Sequence, residues 1–436
     1  MRSIVLSLLL LAACGGDDDG GAGTPDAGPG EGDPDAGGGD DGVTCVGFDG
    51  TWQAENASNT KDTISHDGSL AVTASGDLVV AFSEPDAEET FDQDIHVASN
   101  TGGGWDLSDP LTADEIQNAY PSLVAVGDTL HLTWSGRPGA EINDVFYTTN
   151  DGGGWDARAN LTAEVESALG RHAYGASLAA GPGGELAIAY VSAPDEEGGI
   201  GLGEIRVALI EGGELAAEPV TVIEADAGCT ADDPACSCSD PRAIYDGEGG
   251  LFVFADCGKL GDLDIAFATD TGGDWVSDIM PGNDGHEDYS VEAALDADGD
   301  VHAVWAAALP CDEGTCNNIQ VAGPGADGFA EPVSASQTGT PGDSSPTMAI
   351  GPDGRVLVAF HRDNAENFSD VFITSADDGE TFGAPCNLTR TDDNNEWMPW
   401  SLQLHPDTGL PHMTFVYFEK DSDPLDTEVF HMRLVP

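Results

Sequence analysis

Apolar and polar residues alternate along most of the chain in short runs, and one such run recurs seven times. Each copy opens on an acid or an Asn and continues with alternating apolar positions; the copies begin at Asp94, Asp144, Glu204, Asp264, Asn318, Asp370 and Glu428. A period of two is the pattern of a strand with one buried face. Ahead of each copy lies a second run in which an apolar residue is followed four positions later by an aromatic: Leu78/Phe82, Leu130/Trp134, Leu186/Tyr190, Val301/Trp305, Val356/Phe360 and Pro411/Phe415, with Leu251/Ala255 in the fourth unit. Gly-containing turns precede those runs, as at Gly181–Glu185 and Gly351–Arg355, and a first strand precedes each turn. Turn residues between period-two runs predict hairpins.

Seven meanders of about four strands each predict an all-β fold, a seven-bladed β-propeller of four-stranded antiparallel blades. The seventh unit ends at Val435-Pro436 without a fourth strand, whereas Phe48 to Ser58 stands ahead of the first unit as an orphan strand. The N-terminal segment is therefore expected to complete the last blade, with Trp52 beside Val429 to Met432, and to close the ring.

The N-terminus changes the picture. Arg2 precedes an apolar run too short to span a bilayer, which reads as an export signal over residues 1–13. Its end, Leu11-Ala12-Ala13-Cys14, resembles the lipobox of bacterial lipoproteins, which implies lipidation of Cys14 and anchoring to the bacterial cell envelope, at the outer membrane or cell surface. Residues 14–44 are almost entirely Gly, Asp, Ala, Pro and Glu, a composition that cannot bury a core, and are read as a disordered tether; the propeller domain is placed at 45–436. With 80 acidic against 13 basic residues, a formal charge of -67, nucleic acid is excluded as a partner and a monomer is expected.

Eight of the nine cysteines remain once Cys14 is set aside, an even number that in an exported chain predicts disulfides. Cys311 and Cys316 can close a small loop, Cys229, Cys236, Cys238 and Cys257 form a second group of open pairing, and Cys45 with Cys386 follows by elimination. The irregular spacing from Cys229 to Cys238 argues against zinc.

Ser375-x-Asp377-x-Gly379-x-Thr381-Phe382 matches the Asp-box of BNR, sialidase-like propeller repeats. Looser copies end at Trp105, Trp155 and Trp275, while the third and fifth units keep little of it. The resemblance implies a tight turn between third and fourth strands, held by carboxylate and hydroxyl, with the aromatic plugging the blade edge. It also implies, for an active sialidase, three arginines clamping a carboxylate and a Tyr–Glu couple, roles that Arg171, Arg242 and Arg362, and Tyr417 with Glu419, could imitate. The family's Arg-Ile-Pro motif is absent and seven units stand where sialidases have six.

Register against the repeat removes other candidates. Asp296–Asp300 starts like a calcium loop but occupies a hairpin slot, and no bidentate Glu follows. His131, His302 and His412 share one strand position in three blades, so they are expected far apart. Asn160 and Asn387 share one fourth-strand slot. No cofactor or metal is called for. Loops entering the first strands, and those joining second to third strands, share the face around the channel mouth, and they carry eight of the twelve Lys and Arg after the leader. That face is expected to bind ligand through Tyr120, Arg171, His172, Tyr174, Arg242, His286, Tyr289, His361, Arg362, Trp397 and Trp400. Rings with Arg and carboxylates suit a glycan or a protein ligand by stacking and bidentate pairing. The sequence thus predicts a non-catalytic binding or scaffold module on the cell surface, with a sialidase-like glycoside hydrolase using the Arg cluster as the alternative.

Overall fold

The computed structural model describes residues 42–436 except 61–64, 86–92, 114–115, 138–141, 197–198, 201, 226–235, 260, 271–272, 283–285, 312–313, 327, 338–341, 364–368, 391–394 and 420–425. Cys14, the leader and nearly all of the tether therefore lie outside the described residues, as does Cys229.

Seven antiparallel sheets form a β-propeller. The first strands of the seven blades are His66–Val72, Gln117–Val126, Arg171–Ala180, Ser237–Tyr245, Asp288–Leu295, Asp343–Ile350 and Asn395–Leu404. Each packs on the first strand of the next blade, the seventh on the first, so these strands are innermost. The predicted Leu/aromatic strands are second in each sheet and the acid-headed copies third. The blade containing Arg171 carries two further short strands, Gly199–Ile200 and Glu214–Leu215.

The recurring acid has a defined task. Asp94, Asp144 and Asp370 each accept the hydroxyl of a Thr beyond the fourth strand, Thr112, Thr162 and Thr389, at 3.0, 3.0 and 2.8 Å. Each hydroxyl in turn accepts the N–H that follows the acid, on Ile95, Val145 and Val371. Asn160 and Asn387 donate to the same carboxylates, which ties the edge strand to the third strand.

The second-strand aromatics face the preceding blade. Trp134 joins the apolar cluster of Ala81 and Val97, and Phe415 that of Leu357 and Ile373. Ala255 takes that position in the fourth blade, where Tyr245 and the Cys238–Cys257 bridge share the space. Further out, an aromatic from the turn between third and fourth strands wedges against the preceding blade as well: Trp105 meets His431 edge-on at 5.1 Å and Phe382 packs with Ile319 and Val321. The fifth blade, read from sequence as having little of this pattern, supplies Phe329 from a hairpin of Pro324–Gly325 and Gly328–Phe329, and the third uses Leu215. In the sixth blade Asp378, not Asp377, accepts the turn N–H groups of Glu380 and Thr381, and Asp377 is 95% exposed. Asn100 and Asn150, one residue past the expected hydroxyl position, accept the turn glycine N–H groups in the first and second blades.

The strand Thr51–Asn56 pairs with Asp426–Val435 as the fourth strand of the last blade. Trp52 lies opposite Leu434, and Ala54 to Asn56 lie opposite Met432 to Phe430, so the pairing runs further along the strand than the sequence reading placed it. Cys45 is bridged to Cys386 on the outer strand of the sixth blade, and Cys311 to Cys316. Cys236 is disulfide-bonded too.

Candidate functional site

Near its mouth end the first strand of every blade breaks register with the second strand. In six blades the break carries a residue in the left-handed region: Asp67 (φ 62°), Tyr120 (57°), Gly175 (62°), Asp240 (49°), Ser290 (58°) and Ser345 (47°). The seventh has Trp400 between the paired residues Pro399 and Ser401. A bulge re-aims side chains, and non-Gly residues at positive φ are retained only where the surroundings enforce them. Neighbouring blades enforce them here. Tyr120 N–H donates to Asp67 Oδ2 at 3.4 Å, Gly175 N–H to Ser135 Oγ at 2.9 Å, and Ser290 N–H to Asp256 Oδ2 at 2.8 Å.

The residue after the break makes a second stitch. Ser69, Ser122 and Ser177 each accept a backbone N–H from the next blade, on Leu123, Leu178 and Ala243, all at 3.0 Å. Between the fourth and fifth blades this serine is replaced by Arg242, which pairs with Glu292 at the equivalent position. That seam is the most chemically loaded part of the mouth. Asp256 is buried, its Oδ1 has no hydrogen-bond partner among the described residues, and burial together with Asp240 pushes its carboxyl up to about 8. Tyr174 is half-buried on one side, its phenol pushed up to about 12 by burial and then by Asp240. On the other side Tyr289 accepts Asn317 Nδ2 at 2.7 Å; burial and Glu287 raise its phenol.

The remaining predicted residues divide. Around the first-blade bulge, His66 Nδ1 lies 2.8 Å from Asp67, and Ser83 Oγ donates to Asp67 at 2.9 Å. His361 lies 3.0 Å from Ser344 and 3.2 Å from Asp363. Trp400 is half-buried, its indole N–H enclosed and without a partner among the described residues. His286 lies half-buried just ahead of the fifth first strand. The Trp397 side chain is outside the described residues, as are those of Glu419 and Glu396.

Two of the three arginines serve the frame. Arg171 bonds Ser192, Glu204 and the fully buried Glu166, which also receives Tyr190 and Arg206. Arg362 grips Asp343 with two bonds of 2.6 and 2.9 Å and lies over the rings of Phe360 and Phe372. His172 is buried, accepting Asn143 N–H at 3.2 Å. Tyr417 is buried against Phe430, in the core of the last blade. Of the three arginines, Arg171 and Arg242 both stand on innermost strands, but Arg171 and Arg362 are held by internal carboxylates, and Tyr417 packs in the core of the last blade away from solvent.

The fold as a whole matches solved propellers. An ulvan lyase of polysaccharide lyase family PL25 has a TM-score of 0.59 at 12% identity, covering 86% of this chain and 95% of that one. An ulvan lyase of that family bound to -[GlcA(1-4)Rha3S]- gives 0.60 at 13%, with the same coverage. A Hadza microbial sialidase gives 0.46 at 12%, over 80% of this chain and 74% of that one. No protein-family model matches the chain, and no curated protein does.

Asp67, Asp240, Asp256, Glu292 and Asn317 are mouth residues that the sequence reading passed over. For Asp67, Asp240 and Glu292 the aligned first strands carry a partial signal, in three blades a Pro after the bulged residue and then commonly Ser or Thr, as in Tyr120-Pro121-Ser122 and Ser345-Pro346-Thr347; Asp256 and Asn317, on second and third strands, carry none.

Proposed function

We propose that the protein is an exported, lipid-anchored propeller that binds a neutral glycan at its channel mouth without turning it over. The observation that carries this reading is the ring of first-strand bulges, which sets Tyr120, Tyr174, Tyr289 and Trp400 around one opening among Asp67, Asp240, Glu292 and Asp363. Rings supply apolar area for sugar faces, and carboxylates accept sugar hydroxyls. Arg242 is already paired with Glu292, so it is not free to offset these carboxylates, and an anionic sugar beside them would meet repulsion that a neutral one does not. The likeness in fold to an ulvan lyase bound to an oligosaccharide supports a carbohydrate as the class of ligand. The sialidase-like alternative loses its clamp to the internal partners of Arg171 and Arg362.

A glycan array followed by calorimetry on the purified protein tests the reading. Neutral oligosaccharides should bind in preference to sialylated or uronic ones, and Tyr120→Ala or Trp400→Ala should each weaken binding roughly tenfold, the loss of about 1.4 kcal/mol of ring contact. Cleavage of a sialoside, abolished by Arg242→Ala, would replace this reading with the enzymatic one. For the anchor, Cys14→Ser should release the protein from the membrane fraction and end its labelling by fatty acid; a variant still labelled would refute lipidation at that residue.

A further inference from the structure

On the face opposite the mouth, the seam between the fourth and fifth blades opens into a groove of about 400 Å³. Its floor is aromatic. Phe252 and Phe267 come from the fourth blade, and Phe329 reaches them from the short hairpin of the fifth, meeting Phe267 at 5.2 Å and Phe252 at 6.3 Å, in both cases edge-on. All three rings remain half-buried, and beside them Val276 is 63% exposed. The rim carries Asp278 and Asp300, both exposed, and neither has an ion-pair partner among the described residues. The seam below is rigid: Gly247 N–H donates to Gly299 O at 2.8 Å, and a Cβ on Gly247 would meet the Gly299 Cα at 2.8 Å.

Phe329 wedges against the preceding blade as the turn aromatics of other blades do, and its half-buried ring, with those of Phe252 and Phe267 and the exposed Val276, leaves apolar surface open to the groove. The chemistry of the opening is specific. Aromatic faces carry negative charge and attract cations with an apolar coat, and carboxylates at the rim add charge without covering the rings. We propose that this groove binds an organic cation, an alkylated ammonium whose methyl groups rest on Phe252, Phe267 and Phe329 while Asp278 and Asp300 face its charge. The site is independent of the glycan at the mouth.

Choline and its uncharged isostere 3,3-dimethylbutan-1-ol are the probes, titrated by calorimetry at near-physiological salt, which screens diffuse attraction to the acidic surface. Choline should saturate one site and the alcohol should bind at least ~10-fold more weakly, the size of a cation–ring contact with flanking charge. The Asp278→Asn/Asp300→Asn pair, on exposed side chains, should fold normally and weaken choline by a similar factor. Phe329→Leu keeps apolar bulk but removes a ring and should do the same; glycan binding at the mouth should be unchanged in both. Equal binding of the isostere, choline binding indifferent to both variants, or no choline binding would each overturn the proposal. A trimethyl-lysine peptide binding more tightly than choline would identify the cation as a protein side chain, and equal binding would identify it as a free amine.

Discussion

Replacing Trp52 with alanine should destabilise the whole ring by about 3–5 kcal/mol, read as a lower urea midpoint with little change in slope. Trp52 is 1% exposed, whereas its counterparts Trp105, Trp155 and Trp275 are only half-buried. The difference comes from a cover that, among the described residues, no other blade has. Val43 pairs backbone to backbone with Trp52, Phe48 meets its ring edge-on at 5.5 Å, and the Cys45–Cys386 bridge fixes that cover to the sixth blade. Arg355 adds a bond to Gly47 O and lies over the Phe48 ring. Removing the indole leaves a cavity at the place where first and last strands meet, so the loss falls on closure itself. Trp155→Ala should cost clearly less. Trp52→Phe should cost least, because the indole N–H is buried without a partner among the described residues and its removal abandons no bond there. Equal losses for Trp52→Ala and Trp155→Ala would show that the clasp is no more important than any other seam.

The same blade should make the protein sensitive to mild acid. His412 and His431 are buried on adjacent strands, 2.9 Å apart, with their pKa values lowered to about 4 and about 3, in both cases first by burial, then at His412 by His405 and Arg433 and at His431 by His412 and Arg433. Unfolded histidines titrate near 6.5. Between those values the unfolded chain binds protons that the folded one refuses, so stability is full above about pH 6.5 and falls as pH drops through the window. From these values the pair's contribution to the loss at pH 4.5 is on the order of 5 kcal/mol. His66 works in the opposite direction: burial opposes its charge, but Asp67 prevails and raises its pKa, so it gains stability on acidification. Asp256, its carboxyl raised to about 8, works with His66, whereas His96 and His131, both lowered chiefly by burial, work with the pair. Thermal melts from pH 7 to pH 5 should show the midpoint of the parent falling relative to that of His412→Asn/His431→Gln, a difference that isolates the pair from the opposing groups. An equal slope in both would assign the acid sensitivity to other groups.

The fold was legible because a seven-fold repeat multiplies a weak signal: a period-two run is ambiguous once and decisive when an acid or, once, an Asn heads it in all seven units. The missing fourth strand and the Cys45–Cys386 bridge could be read for the same reason, since a repeat makes a gap visible. Chemistry at the mouth was less legible, because charge in a sequence does not say what it already touches. Arg362 looks free in the stretch Phe360-His361-Arg362-Asp363, yet Asp343, nineteen residues earlier, takes it. Asp67 and Asp240 look like ordinary turn residues, and only the register break shows that they face the opening. Phe329 escaped notice because its hairpin displaces the wedge from its expected spacing.

Head and tail share one sheet, Thr51 opposite Val435, while each blade presents the same kind of key to the one before it. The ring therefore has no intrinsic starting point. A short linker between the two ends, with new termini cut into any exposed turn, describes a circular permutant with the same architecture, and tandem gene duplication could lengthen or shorten such a chain by whole blades without inventing a new contact.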